Sequence, residues 1–104
     1  MTDSAPRLRR IAGVSELRAV SDTVRLAVLT ILFDHPQESF SVRDLAERTG
    51  VPVTLMHYHL KILRTENLVG VVVRRTAQNR RERQYQARYA ALRWDFPAAG
   101  DPGV

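Results

Sequence analysis

Along most of this chain apolar residues recur every three or four positions, and beyond Leu68 they recur every two. The first spacing stacks side chains on one face of a helix, and the second lines one face of a strand. Four helical segments followed by a hairpin are the elements this predicts. The stretch "SELRAVSD" reads as a short first helix, with Ser15 as its cap and Leu17 and Val20 three apart on one face. The second helix, "DTVRLAVLTILFDH", is apolar on more than one side: Val24, Ala27, Val28, Ile31 and Leu32 lie on one, Leu26, Leu29 and Phe33 on the other. A helix of that kind is usually central and buried, and Pro36 stops it. In "SVRDLAERT", Ser41 and Asp44 have the spacing of a capping box with Asp in place of Glu, and Val42, Leu45 and Ala46 form the inward stripe. Gly50 supplies the left-handed turn that ends a helix. A fourth helix runs from Pro52 or Val53 to Asn67, since proline suits a first turn whose N–H would be unpaired anyway.

After Leu68, "VGVVVRRT" is β-branched, "ERQYQAR" alternates, and "AQNRR" between them is turn-like, which reads as a two-stranded hairpin. "YAALRWDF" follows as a short helix or an extended segment returning to the body. Residues 1–13, with Arg7, Arg9 and Arg10, are expected to be a flexible basic arm. Residues 14–96 are expected to form the folded domain, and residues 97–104, rich in Pro, Gly and Ala, a flexible tail.

Composition narrows the function classes. The chain has 104 residues, one domain's worth, and 44% of them are apolar, as in a globular protein. It has no cysteine, which excludes disulfides, cysteine-ligated zinc, iron–sulfur clusters and thiol catalysis. No apolar run reaches membrane-spanning length and the start lacks the apolar stretch of a signal peptide, so a soluble cytoplasmic protein is expected. The net charge is +5, with 16 basic residues of which Lys61 is the single lysine. Arginine's planar fork suits bidentate contacts to phosphate and guanine. A GC-rich coding bias accounts for the arginine-to-lysine ratio equally well, but not for where the charges fall.

They fall on the hairpin. Arg74, Arg75, Arg80, Arg81, Arg83 and Arg88 stand there against Glu82 alone. Two helices joined by a short glycine-containing turn and followed by a basic hairpin describe a winged helix-turn-helix, mainly α with a small β-hairpin wing, of α+β class. On a wheel of about 100° per residue, Met56, Leu60, Leu63 and Asn67 share a sector that must face the core. Thr54, Tyr58, Lys61 and Thr65 lie opposite, flanked by Leu55 and His57. In a helix-turn-helix, the N-terminal part of the outward face enters the major groove. Thr54, Leu55, His57 and Tyr58 are therefore the candidate groove contacts, and Lys61 and Arg64 candidate phosphate contacts. Arg74, Arg75, Arg80, Arg81 and Arg83 are the candidate wing contacts, with Arg80 or Arg81 suited to a narrow minor groove.

Particular residues sharpen this. The pairs Asp22 with Arg25-Leu26, Leu45-Ala46, Gly50-Val51, His59-Leu60-Lys61 with Leu63, and Asn67-Leu68-Val69 occur in that order. On these the chain resembles the ArsR-type (arsenical-resistance-repressor) family of bacterial transcription factors over roughly residues 14–90. "RERQYQA" resembles the second wing strand of related regulators. The resemblance implies a DNA-binding transcriptional regulator, a dimeric repressor in the bacterial nucleoid that reads an inverted-repeat operator in double-stranded DNA. The family usually carries Ser or Thr at the start of the recognition helix, where this chain has Pro52 and Val53. His57 and Tyr58 are bulkier than the family's common residues there.

Many members of that family sense metals through cysteines or histidine–carboxylate sites. Here His57 and His59 point about 160° apart on a helix and do not grip one ion together. His35 lies near Asp34 and Glu38 without a second histidine at a ligand spacing. No metal, cofactor or catalytic site is expected, and the sequence defines no effector. His59, on the shoulder of the core face, is expected to be partly buried and hydrogen-bonded to a neighbouring helix. Candidate dimer contacts are Leu17, Val20, Tyr89, Leu92, Trp94 and Phe96, with core capping an equal alternative for Trp94. The C-terminal segment is short for the family, which fits either a reduced dimer interface or a DNA-binding part of a longer protein. A winged helix also serves as a protein-interaction or RNA-binding module.

Overall fold

The computed structural model describes residues 8–94, with elements β1 (Leu8–Ile11), α1 (Val14–Val20), α2 (Thr23–Asp34), β2 (Ser39–Ser41), α3 (Val42–Thr49), α4 (Val53–Thr65), β3 (Val69–Arg75), β4 (Arg81–Ala87) and β5 (Ala91–Trp94). This is the winged helix-turn-helix of α+β class: four helices and a wing. Among the described residues no helix is long and apolar enough to cross a membrane.

Local chemistry sets most helix ends. Gly13, in extended conformation, precedes α1, and the Glu16 carboxylate accepts its N–H at 2.7 Å, so Ser15 is not the cap. Asp22 opens α2 by accepting from the N–H groups of Val24 and Arg25 at 2.8 and 3.0 Å. Ser41 and Asp44 form the reciprocal box at the start of α3, at 3.0 and 3.3 Å. Gly50 ends α3 with φ 77°, where a side chain would be strained.

The end of α4 differs from the wheel's expectation that Asn67 faces the core. The helix stops at Thr65, and Asn67 is exposed with φ 59°. Its N–H donates to the Arg64 carbonyl at 3.0 Å, and the Leu68 N–H to the Leu63 carbonyl at 2.9 Å. This is a Schellman closure with asparagine in the left-handed position, sealed by the contact side chains Leu63 and Leu68, both fully buried. Asparagine tolerates that conformation, so the chain leaves the helix two residues before the end expected from the wheel.

The core is one cluster. Val28, Leu29 and Leu32 of α2 meet Leu45 and Ala46 of α3, Met56, Leu60 and Leu63 of α4, and Phe40 and Tyr85 of the sheet. The expected two-stranded hairpin is part of a three-stranded sheet of order β2-β4-β3, antiparallel throughout. Phe40 brings β2 to Tyr85, which docks the wing's base against α3.

The expected arm over residues 1–13 is described from Leu8 onward, and there it is a strand rather than an arm. β1 pairs in parallel with β5 from Leu8↔Ala91 to Ile11↔Trp94. Ile11 is fully buried in the core, and burial of an aliphatic side chain is what holds the strand down. The segment after the wing is accordingly extended, not helical. Residues 1–7 and 95–104, including the tail over 97–104, lie outside the described residues.

Candidate nucleic-acid interface

The outward face of α4 carries the side chains expected there. Thr54, Leu55, His57, Tyr58, Lys61 and Arg64 are all exposed, Tyr58 by 58%. Met56, Leu60 and Leu63 are buried beneath them. No side chain caps the first N–H groups of α4, because proline stands where a serine or threonine would accept them. Those groups and the positive end of the helix dipole lie beside the exposed Pro52, Val53 and Thr54.

His57 and His59 separate as the wheel requires. His59 is 6% exposed, and its Nδ1 accepts from the Arg25 guanidinium at 2.9 Å. The same arginine donates to the Ala19 carbonyl at 2.7 Å and the Arg18 carbonyl at 3.3 Å. Asp22 Oδ2 lies 3.7 Å from the His59 ring nitrogen. The backbone N–H of Arg25, then its guanidinium, holds the Asp22 carboxyl below the usual carboxylate range against the opposing effect of burial. Exposed Tyr58 stands edge-on to the His59 ring, with centroids 5.2 Å apart. A buried polar support thus lies directly beside a candidate reading residue. His35 pairs with Glu38 at 3.3 Å and packs on Phe40. Among the described residues no group of three or more histidine or acidic side chains is placed to hold a metal ion.

Register sorts the wing arginines. Neighbours along a strand alternate between faces, and cross-strand partners share one. Phe40 pairs with Tyr85, Tyr85 with Val71, Arg83 with Val73 and Arg81 with Arg75. Phe40 and Tyr85 pack into the helical core, so Arg75, Arg81 and Arg83 stand on the helix side of the sheet. Arg74 pairs with Glu82 on the opposite face and donates to Ser39 Oγ at 3.2 Å. Arg75 bends over the turn and donates to the Asn79 carbonyl and side-chain oxygens, both at 3.2 Å. Arg80 is exposed in that turn.

Helix and wing enclose an open cleft of about 460 Å³ between His57, Lys61, Arg64 and Thr65 of α4 and Arg83 and Tyr85 of β4. Past His57, Arg83 and Tyr85 it continues toward Val53, Arg81, Arg43 and the acidic Glu82. The first stretch is lined by cations and no carboxylate among the described residues. Arg43, on the first turn of α3, was not among the residues singled out from the sequence. Its exposure was legible there, but its approach to the wing depends on β2 pairing with β4.

The dimer candidates scatter. Val20 is 1% exposed and belongs to the monomer's own core, because α1 packs its single apolar face onto α2. Leu17 and Leu92 are partly buried against that core. Tyr89 is half-buried beside Arg9 and Arg88. Trp94 is the last residue of β5 with its side chain outside the description, and Phe96 lies outside it altogether.

A family profile described as a helix-turn-helix domain matches residues 20–72. The solved structure of NolR from Sinorhizobium fredii is similar at 32% identity over 70% of this chain and 65% of that one, with a TM-score of 0.55. The match thus spans just under two thirds of the length of NolR. HlyU from Vibrio cholerae N16961 is similar at 29% identity over 72% of this chain and 73% of its own, with a TM-score of 0.56. A possible transcriptional regulator from Methanosarcina mazei Go1, 11% identical over 69% of this chain and 60% of its own with a TM-score of 0.58, shares the fold. Among curated protein sequences none matches significantly. With an exposed outward face on α4 and a basic wing, the chain belongs to the helix-turn-helix domain family, and it is similar to NolR and HlyU, winged helix-turn-helix regulators of the ArsR/SmtB family.

Proposed function

We propose that the protein is a dimeric repressor whose α4 enters the major groove while the helix side of the wing lies along the phosphate backbone. The observation that carries this reading is the cleft between α4 and β4, open to solvent and bordered by Lys61, Arg64, Arg81, Arg83 and Arg43, with the carboxylate of Glu82 at its Arg43 end. A groove-inserted helix needs a neutralised backbone beside it, and this cleft supplies the charge where a strand of phosphates would run. Thr54, Leu55, His57 and Tyr58 then meet base edges, and Leu55 suits a thymine methyl. Arg80, at the tip, reaches the minor groove. Two copies related by a twofold axis read half-sites about one helical turn apart, so the operator is an inverted repeat.

The test is selection of bound duplexes from a random pool, followed by mobility shift on the enriched sequence and a scrambled one. The expected outcome is an inverted repeat, bound by two protein chains and weakened by Tyr58→Ala. A pool that shows no enrichment, with every duplex bound alike, would overturn sequence-specific recognition.

A further inference from the structure

Arg9 lies on β1, outside the cleft, yet its guanidinium reaches across to the far end of the recognition helix. One terminal nitrogen donates to the Asn67 carbonyl at 2.9 Å and to the Tyr89 hydroxyl at 3.2 Å. The other donates to the Glu66 carbonyl at 3.1 Å and to the Glu16 carboxylate. Its carbon sits 5.4 Å from the centre of the Tyr89 ring. The arginine and Glu16 side chains are 18% and 19% exposed, so the pair is largely shielded from water. Burial opposes the charge on Arg9, but the bonds to Glu16 and Tyr89 outweigh it and raise the pKa above its ordinary value. The same bond from Arg9, and then the Gly13 N–H, holds the Glu16 carboxyl below its usual range.

The two carbonyls are the important partners. Glu66 and Asn67 are the first two of the three residues between the end of α4 at Thr65 and the start of β3 at Val69. They are the hinge between the helix and the wing. Carbonyls at a helix end have no intrahelical partner, and here one rigid, planar side chain satisfies two in succession. Ser15 adds a bond to the Glu66 carboxylate at 3.2 Å from the same side.

We propose that Arg9 is a positioning residue for DNA recognition: by gripping the Glu66 and Asn67 carbonyls it sets the angle between α4 and the wing without touching DNA. This rests on the reading of the α4–wing cleft as the DNA seat. A helix reading bases and a wing holding phosphates are two linked binding modules. Their joint affinity depends on how narrowly the connection holds them in register. A looser hinge therefore weakens the specific complex, which needs both at once, more than the nonspecific one, which needs charge alone. The strand β1, pinned by β5 and by Ile11, is the anchor from which the guanidinium acts.

The experiment is fluorescence anisotropy with the duplex that wild-type protein enriches from a random pool and with a scrambled duplex, each at several salt concentrations. For Arg9→Ala the ratio of specific to scrambled affinity should fall roughly tenfold, within the range of substitutions along a coupled network. The salt slope should not change, because no phosphate contact is lost. Arg9→Lys should keep most of the loss, since an ammonium cannot span both carbonyls and the carboxylate as a guanidinium does. Glu16→Gln retains an oxygen to accept the Gly13 N–H but removes the counter-charge of Arg9. It should lower the ratio in the same direction by less, and it decides the matter if Arg9→Ala does not fold. An unchanged ratio in folded Arg9→Ala, or in Glu16→Gln where Arg9→Ala is unfolded, overturns the proposal. So does a slope shallower by about 0.9, which marks Arg9 as a phosphate contact. Tyr58→Ala in the same assay keeps the two readings apart. If it leaves the ratio unchanged, the cleft is not the DNA seat; if it lowers the ratio while Arg9→Ala does not, positioning alone fails.

Discussion

The two faces of the wing make opposite predictions for arginines that are near neighbours in sequence. Arg81 and Arg83 stand on the helix side, bordering the cleft, whereas Arg74 stands on the other face with its guanidinium on Ser39. The perturbation is Arg81→Ala with Arg83→Ala, compared with Arg74→Ala. All three side chains are exposed, so each protein should keep its fold with stability changed by no more than about 0.5 kcal/mol per site. Each phosphate neutralised contributes about 0.9 to the slope of log affinity against log salt. Losing two contacts makes the slope shallower by about 1.8 per protomer. Over a fourfold rise in salt, from about 50 to about 200 mM, the loss of affinity then shrinks by about twelvefold per protomer, and by about 140-fold for a dimer making both sets. Arg74→Ala should leave the slope where it was. Anisotropy titrations at four or five salt concentrations measure both. A slope unchanged in the double variant, or one flattened as much by Arg74→Ala, would refute the assignment of faces to the DNA.

Three further outcomes test the scaffold. Gly50→Ala should destabilise the protein by about 1 kcal/mol in chemical denaturation through backbone strain alone, since nothing lies within 4 Å of the added carbon; Gly50→Asn should cost less. Leu60→Ala, at a position 1% exposed beneath the outward face of α4, should cost about 2–5 kcal/mol in thermal or denaturant unfolding. Acid should destabilise the fold through Asp22 and Glu16, whose folded pKa values are depressed by backbone N–H and arginine hydrogen bonds. The unfolded chain takes up those protons first, so their stabilisation is complete above about pH 5 and disappears as pH falls through the folded values. Asp22→Asn with Glu16→Gln should flatten the acid limb of a plot of denaturation midpoint against pH; an unaltered limb would contradict it.

Features governed by local chemistry were legible in the chain. The Ser41–Asp44 box and Gly50 act on backbone a few residues away, and the structure uses each as read. So was the division of His57 from His59, because it follows from helix geometry. What was not legible depends on distant partners. β2 is only Ser39, Phe40 and Ser41, and it is a strand because β4 lies beside it. β1 carries two arginines in four residues and reads as a solvated arm. Its order comes from β5, some eighty residues away, and from the ion pair with Glu16. Val20 shows the same limit from the other direction. An apolar face on a short helix seals a core or a dimer equally well, and only the packing of α1 on α2 decides.

The candidate site divides along the same line. Lys61 could be placed outward by counting around a helix, but counting along a strand says only that Arg74 and Arg75 face opposite ways. Which of them faces the helices depends on register, and a slip of one residue would exchange the two sets. Register here is set at the turn, where the Thr76 N–H donates to the Arg80 carbonyl at 2.8 Å and the Asn79 N–H to the Thr76 carbonyl at 2.9 Å. Asn79 takes the left-handed conformation at φ 64°, and Arg75 holds its oxygens. "AQNRR" announces a turn, yet it does not say that Thr76, one residue earlier, closes it. Tyr85 supplies the complementary constraint from the base, since only one register seats that ring beside Phe40 in the core. The charge proposed to meet DNA is thus selected by a buried aromatic pair and an asparagine, none of which is charged.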